Sequence, residues 1–186
     1  MVWNVEMNQL INKFWSDMND VSPYSSIIIR AAGISENDST LDVLSKRSDL
    51  LELSEHAHNA CLTPREPGGI TLEERAALAS RMCVLNGESV LSEHYASMLP
   101  SGHALLGIIE GGNYSGDNDR LHALIRHVDL VTNQPKDTVS EDIEKLKIVG
   151  VAEPDIVRLS ELIAFVNYQT VSYTHLRAHE TLRYLV

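Results

Sequence analysis

The chain is expected to fold as an all-α protein, and three features predict it. Apolar residues recur at helical rather than alternating spacing in successive segments, around Leu72, Leu121 and Ile156. Start and stop signals punctuate those segments: Thr71 with Glu74 and Thr138 with Glu141 have capping-box spacing, and Asn86-Gly87 and Gly150 are natural stops. The single β-like run, Ile27-Ile28-Ile29, has no partner strand, so it is read as an extended or helical packing segment.

Taken in order, Asn8 to Met18 spaces Leu10, Ile11, Phe14 and Trp15 for a short helix with an aromatic face, where Trp3, Phe14 and Trp15 serve as packing anchors. Thr40 to Leu62, with Leu41, Val43, Leu44, Leu50, Leu51 and Leu53, reads as one long or broken helix. His56 and His58 near its end are two apart and point to different helix faces. That makes a poor chelate, and both are read as solvated or locally hydrogen-bonded. Pro64 to Gly69 is a punctuated connector that closes an N-terminal helical segment, residues 1–69.

Ile70 to Leu99 reads as two amphipathic helices meeting at Asn86-Gly87. Thr71 and Glu74 start the first, and Leu72, Ala76, Ala79 and Cys83 recur at spacings of four, three and four, widened by Leu78, Met82 and Leu85. Glu73, Glu74, Arg75, Ser80 and Arg81 form the polar side, which predicts one buried face and a charged back. Leu91, Tyr95 and Met98 rebuild an apolar face after the break.

Pro100 to Asp119 is a glycine-rich loop section, but without G-K-[ST] or a strand-led GxGxxG it is no phosphate cradle. Asp117-Asn118-Asp119 lacks the distal Glu of a calcium loop and is read as the cap of the next helix. In that helix Leu121, Leu124, Ile125, Val128 and Val131 form a stripe, while His122 and His127 diverge. Thr138 with Glu141 opens a helix over Val139 to Val149 that Gly150 ends. Pro154 sits in the first turn of a last helix whose Ile156, Leu159, Leu162, Ile163, Phe165 and Val166 read as apolar nearly all round.

The segment Val171 to Thr181, VSYTHLRAHET, breaks this pattern without a cap or turn signal and resembles a translated sequencing adapter. Residues 170–186 are therefore set apart as a non-native tail, with the natural sequence expected to continue past Gln169. His175 and His179 receive no weight as a metal pair.

The 186 residues are enough for one sizeable core. A net charge of −11 argues against nucleic acid and anionic membrane as partners. No apolar run approaches the ~20 residues of a membrane span, and the N-terminus lacks a signal-peptide pattern, so a cytoplasmic protein is expected. Cys61 and Cys83 are expected as free thiols, and neither a metal nor another cofactor is expected.

Two blocks carry a family resemblance. TLEERAALASRMCVLNGESVLSEHY resembles the core helix pair of the alkylhydroperoxidase AhpD-like and carboxymuconolactone decarboxylase superfamily. DRLHALIRHVDLVTNQPKDTVSEDIEKLKIVGVAEPDIVRLSELIAFVNYQ is similar to the following segment of its peroxidase-related branch. The resemblance spans residues 70–169 and implies an antiparallel helical bundle that forms homo-oligomers. It also implies a dithiol peroxidase site: a C-x-x-C pair opening the second helix, a His four residues on, and a Glu on the first helix. One thiolate attacks the peroxide bond, the other resolves the sulfenic acid, and the Glu and His move the proton. An ungapped register puts Glu88 and Leu91 at the thiol positions, Tyr95 at the His position and Ala76 at the Glu position. The dithiol chemistry is thus not expected.

Two functions stay open. The first is a non-catalytic homologue, acting as a structural or binding subunit beside an active AhpD-like partner that carries the Cys pair. The second is a peroxidase-related or decarboxylase-type enzyme that uses His94, Tyr95 and Glu74 as an acid/base cluster on a small apolar acid, lactone or peroxide.

Overall fold

The computed structural model describes residues 26–34, 44–109, 114 and 116–183. The expected helix over Asn8 to Met18, with Trp3, Phe14 and Trp15, lies outside the described residues, as do Thr40, Leu41 and Val43. All described regular elements are helical: α1 (Ile27–Ala32), α2 (Ser48–Leu62), α3 (Leu72–Leu85), α4 (Ser89–Ala96), α5 (Asp119–Asn133), α6 (Ser140–Ile148) and α7 (Glu153–Arg183), with short 3-10 turns at Ala104–Ile108 and Pro135–Asp137. The fold is all-α, as the periodicity requires. Among the described residues no helix is long and apolar enough to cross a membrane.

The chain divides into two compact units, Met1–His56 and Ala57–Val186. In the first, the triple isoleucine run is helical, and Ile29 and Ile34 form a small core with Ala32, Leu44 and Leu51. The Ile27 N–H donates to Glu55 at 3.3 Å. Helix α2 is the later part of the broken helix foreseen for Thr40 to Leu62, since residues 46–47 form a turn before it.

The second unit is built around α3, which packs against α4, α5, α7 and the Ala104–Ile108 turn. Its start follows the sequence: Glu74 N–H donates to the Thr71 hydroxyl at 3.1 Å, and Thr71 N–H donates back to the Glu74 carboxylate at 3.0 Å. It ends at Gly87, whose φ of +76° is open to glycine at little cost. There Gly87 N–H reaches Val84 O and Glu88 N–H reaches Cys83 O, the paired bonds of a Schellman turn. Ala76, Leu78, Met82 and Cys83 are all buried, and full burial of a Leu or Met side chain contributes about 1.5–3 kcal/mol.

Of the charged back expected for α3 only Glu73 is exposed. Every residue from Glu74 to Cys83 is buried, and Leu72, expected on the buried face, is exposed instead. The reason is that each polar side chain meets a partner inside the fold. Arg75 donates to the carbonyls of Ile70 (3.1 Å), Cys61 (2.7 Å) and Pro67 (2.9 Å). Arg81 donates to both carboxylate oxygens of Asp129 and, at 2.6 Å, to the Ile108 carbonyl. Ser80 bonds the Ser92 carbonyl at 2.8 Å, which joins α3 to α4.

Helix α5 starts as foreseen, with the Asn118 side chain accepting from Leu121 N–H at 3.0 Å. Leu121, Leu124, Ile125 and Val128 are its buried stripe. His122 and His127 diverge: His122 is exposed and bonds Gly116 O at 2.8 Å, while His127 is buried.

The start of α6 differs from expectation by one residue. Thr138 and Glu141 do not form the box; Asp142 accepts from Val139 N–H at 3.1 Å and bonds Lys145 at 2.7 Å. Asp142 is buried where Glu141 is exposed, so the inward carboxylate takes the capping position. Gly150, with φ +86°, ends α6 through Gly150 N–H to Lys147 O and Val151 N–H to Leu146 O.

Helix α7 corrects two expectations. Its apolar surface is expected to be buried all round and is not: Leu159, Leu162, Ile163 and Val166 are buried, but Val157, Tyr168 and Val171 are more than half exposed. It also does not stop at residue 170. The helix runs on through residues 171–181 to Arg183, because Gln169, Thr170 and Tyr173 continue the buried face at helical spacing and Thr174 donates to Glu88.

Candidate functional site

His94 and Tyr95 lie in the last turn of α4, with Tyr95 fully buried and His94 half-buried. Their rings meet edge to face with centroids 5.3 Å apart. His58, supplied by α2, stacks on Tyr95 at 5.9 Å with planes 16° apart and lies 6.1 Å from His94. Phe165 of α7 meets the His58 ring edge-on at 6.0 Å. The Tyr95 hydroxyl donates to Oε1 of buried Gln169.

His58 is therefore not solvated. It keeps a local contact, Nδ1 to Asn59 Oδ1 at 3.4 Å, but its ring is 5% exposed and enclosed by aromatic neighbours. The adjacency of His94 and Tyr95 was readable from their consecutive positions. His58, Phe165 and Gln169 were not, because they arrive from distant segments. Phe165 and Gln169 left only a signal of burial, the first within the apolar run of the last helix and the second three residues after Val166.

Glu74, the third candidate, is engaged in the cap of α3. Its carboxylate accepts from Thr71 N–H and pairs with Arg120 at 2.6 Å. Arg120 also donates to the Gly69 carbonyl. The structure thus joins His94 to Tyr95, adds His58, and engages Glu74 in closing the start of α3.

Both cysteines are free. Cys83 is fully buried, and burial, aided by the negative charge of Glu88, pushes its thiol far up, so it stays protonated and unreactive. Cys61 is half-buried, with Sγ 3.8 Å from the Glu161 carbonyl oxygen, and its thiol is also raised, first by burial and then by Glu161. Among the described residues no group of three or more His, Cys, Asp or Glu could hold a metal ion.

A separate cavity of about 630 Å³ opens between α5, α6 and α7. His127, Thr132, Thr138, Ile143, Ile163 and Ala164 are among its walls, whereas His94, Tyr95 and both cysteines are not. Burial holds the His127 imidazole below its ordinary pKa, against a smaller opposing pull from Asp142, and so favours the neutral ring. The sequence marked His127 only as diverging from His122, although it follows Leu124 by three residues and so flanks the buried stripe.

No protein-family model and no curated protein matches the chain. Among solved structures it is similar to an uncharacterized peroxidase-related protein from Silicibacter sp. TM1040, with 14% identity and a TM-score of 0.49. The match covers 66% of this chain and 65% of that one, so it spans a little less than two thirds of that protein's length.

Proposed function

We propose that this chain is a non-catalytic homologue of the alkylhydroperoxidase AhpD-like and carboxymuconolactone decarboxylase superfamily, a helical scaffold without dithiol peroxidase activity. One observation carries the reading: the sole thiol of the α3–α4 hairpin, Cys83, is fully buried and held as a thiol. The positions that the resemblance assigns to the chemistry are taken up by structure. Glu88, Leu91 and Ala76 are buried, and Tyr95 is bonded to Gln169.

The same reading makes the protein a cytoplasmic homo-oligomer that can stand beside an active, thiol-bearing partner. The exposed apolar surface of Val157 and Tyr168 on α7 supports self-association. The test is peroxide consumption by the full chain with a dithiol donor. No turnover above the buffer rate is expected. Turnover that disappears in Cys83→Ser would overturn the proposal.

A second reading, an acid/base enzyme of the decarboxylase type, is favoured by the packing of two imidazoles on the Tyr95 phenol. It requires turnover of a small lactone or acid that is lost in His94→Gln and kept in Cys83→Ser.

A further inference from the structure

The cavity between α5, α6 and α7 combines apolar walls with unmet polar atoms. Val131, Ile143, Ile163 and Ala164 supply apolar surface. His127 Nδ1, Thr132 Oγ1 and Thr138 Oγ1 are buried without a hydrogen-bond partner, and all three residues line this space, His127 standing also beside a smaller cavity walled by Asp142 and Lys145. His127 is 6% exposed. The other polar walls are satisfied within the protein: Asn86 donates to Asn167 at 2.9 Å, Ser160 to Ile156 O at 2.9 Å and Thr170 to Asn167 O at 2.8 Å. Buried polar atoms are rarely left unpaired, so three around one cavity mark the place where a ligand's polar end would sit.

The lining contains no Lys, Arg, Asp or Glu. An ionised head group brought here would lose its hydration with no opposite charge to compensate. Imidazole and hydroxyl groups can each donate or accept, which suits a neutral oxygen. The volume falls within the roughly 300–1,000 Å³ usual for small-molecule sites.

We propose that this cavity binds an uncharged small molecule with an apolar body and one oxygen head, an alcohol or ketone, whose oxygen bonds to His127, Thr132 and Thr138. The site goes beyond the scaffold reading and holds whether or not the chain turns over any substrate.

The test is calorimetric titration of the full chain at pH 7.5 with four eight-carbon probes: 1-octanol, 2-octanone, octanoate and octylammonium. The alcohol and ketone bind at least tenfold more tightly than either ion. Thr138→Val, outside any helix, weakens 1-octanol by about fivefold, the usual worth of one hydrogen bond, with an unchanged circular dichroism spectrum. Ala164→Trp, which fills the space, abolishes binding. Equal affinity for charged and uncharged probes overturns the proposal, as does no binding up to the solubility of the probes. Unchanged affinity in both variants overturns it too, as does sedimentation showing a dimer that Ala164→Trp dissociates, since the occupant is then a second copy.

Discussion

Arg81 holds Asp129 through two nitrogens, Nε to Oδ1 at 2.6 Å and Nη2 to Oδ2 at 2.7 Å, and so fastens the central helix α3 to α5. The arginine side chain is 5% exposed and the aspartate 30%, which leaves one end of the pair near water. Asp129→Ala strands a buried guanidinium and is expected to cost about 3 kcal/mol in urea denaturation. Arg81→Met combined with Asp129→Leu recovers most of that loss, because no uncompensated charge remains.

The one-residue shift at the start of α6 separates two acidic neighbours. Asp142→Asn is expected to lower the melting temperature, and Glu141→Gln to leave it unchanged. Lys145, followed by the Val139 N–H, holds the Asp142 carboxyl below its ordinary range. Its contribution is therefore present above the unfolded aspartate pKa and is lost as pH falls through the folded one. The acid limb of the stability curve should flatten in Asp142→Asn. At α3, by comparison, Thr71→Ala removes a bonded cap and should cost about 1 kcal/mol.

The two thiols should differ in reactivity. In the folded chain at pH 8, a small alkylating reagent modifies Cys61 slowly and Cys83 not at all, and both react in denaturant. Mass spectrometry of the labelled peptides reads this directly. Fast labelling of Cys83 in the folded chain would contradict its burial.

His127 makes stability depend on pH in a defined direction. Its folded pKa is depressed by burial, so the unfolded chain takes up a proton first as pH falls below the ordinary histidine value of about 6.5. Stability is fully present above that value and declines below it until the folded imidazole also charges. His127→Gln should reduce the slope of melting temperature against pH in this window.

Local signals made the fold largely legible. Thr71 with Glu74, Asn118 and the glycines at 87 and 150 fixed helix ends, because a cap and its partner lie within a few residues of each other. The errors came from long-range pairing. Arg75 and Arg81 read as solvent-facing because nothing nearby in the chain announces three carbonyls or Asp129 as partners. The candidate site divided the same way: His94 and Tyr95 are neighbours in sequence, whereas His58 reaches them only through the packing of α2. Residues 171–181 lack a cap signal, yet they remain helical because α7 already presents a continuous buried face for Tyr173 to extend.

The connector at residues 64–69 takes its shape from residues that follow it. Arg75 holds the Pro67 carbonyl, Arg120 the Gly69 carbonyl, and Asp155 the Gly69 N–H at 2.9 Å. During synthesis the last of these ties waits until nearly ninety further amino acids have been made, roughly the interval to Asp155, and several seconds pass at ordinary elongation rates. The connector is thus closed retroactively, its final tie supplied by a side chain that does not yet exist when Gly69 first meets solvent.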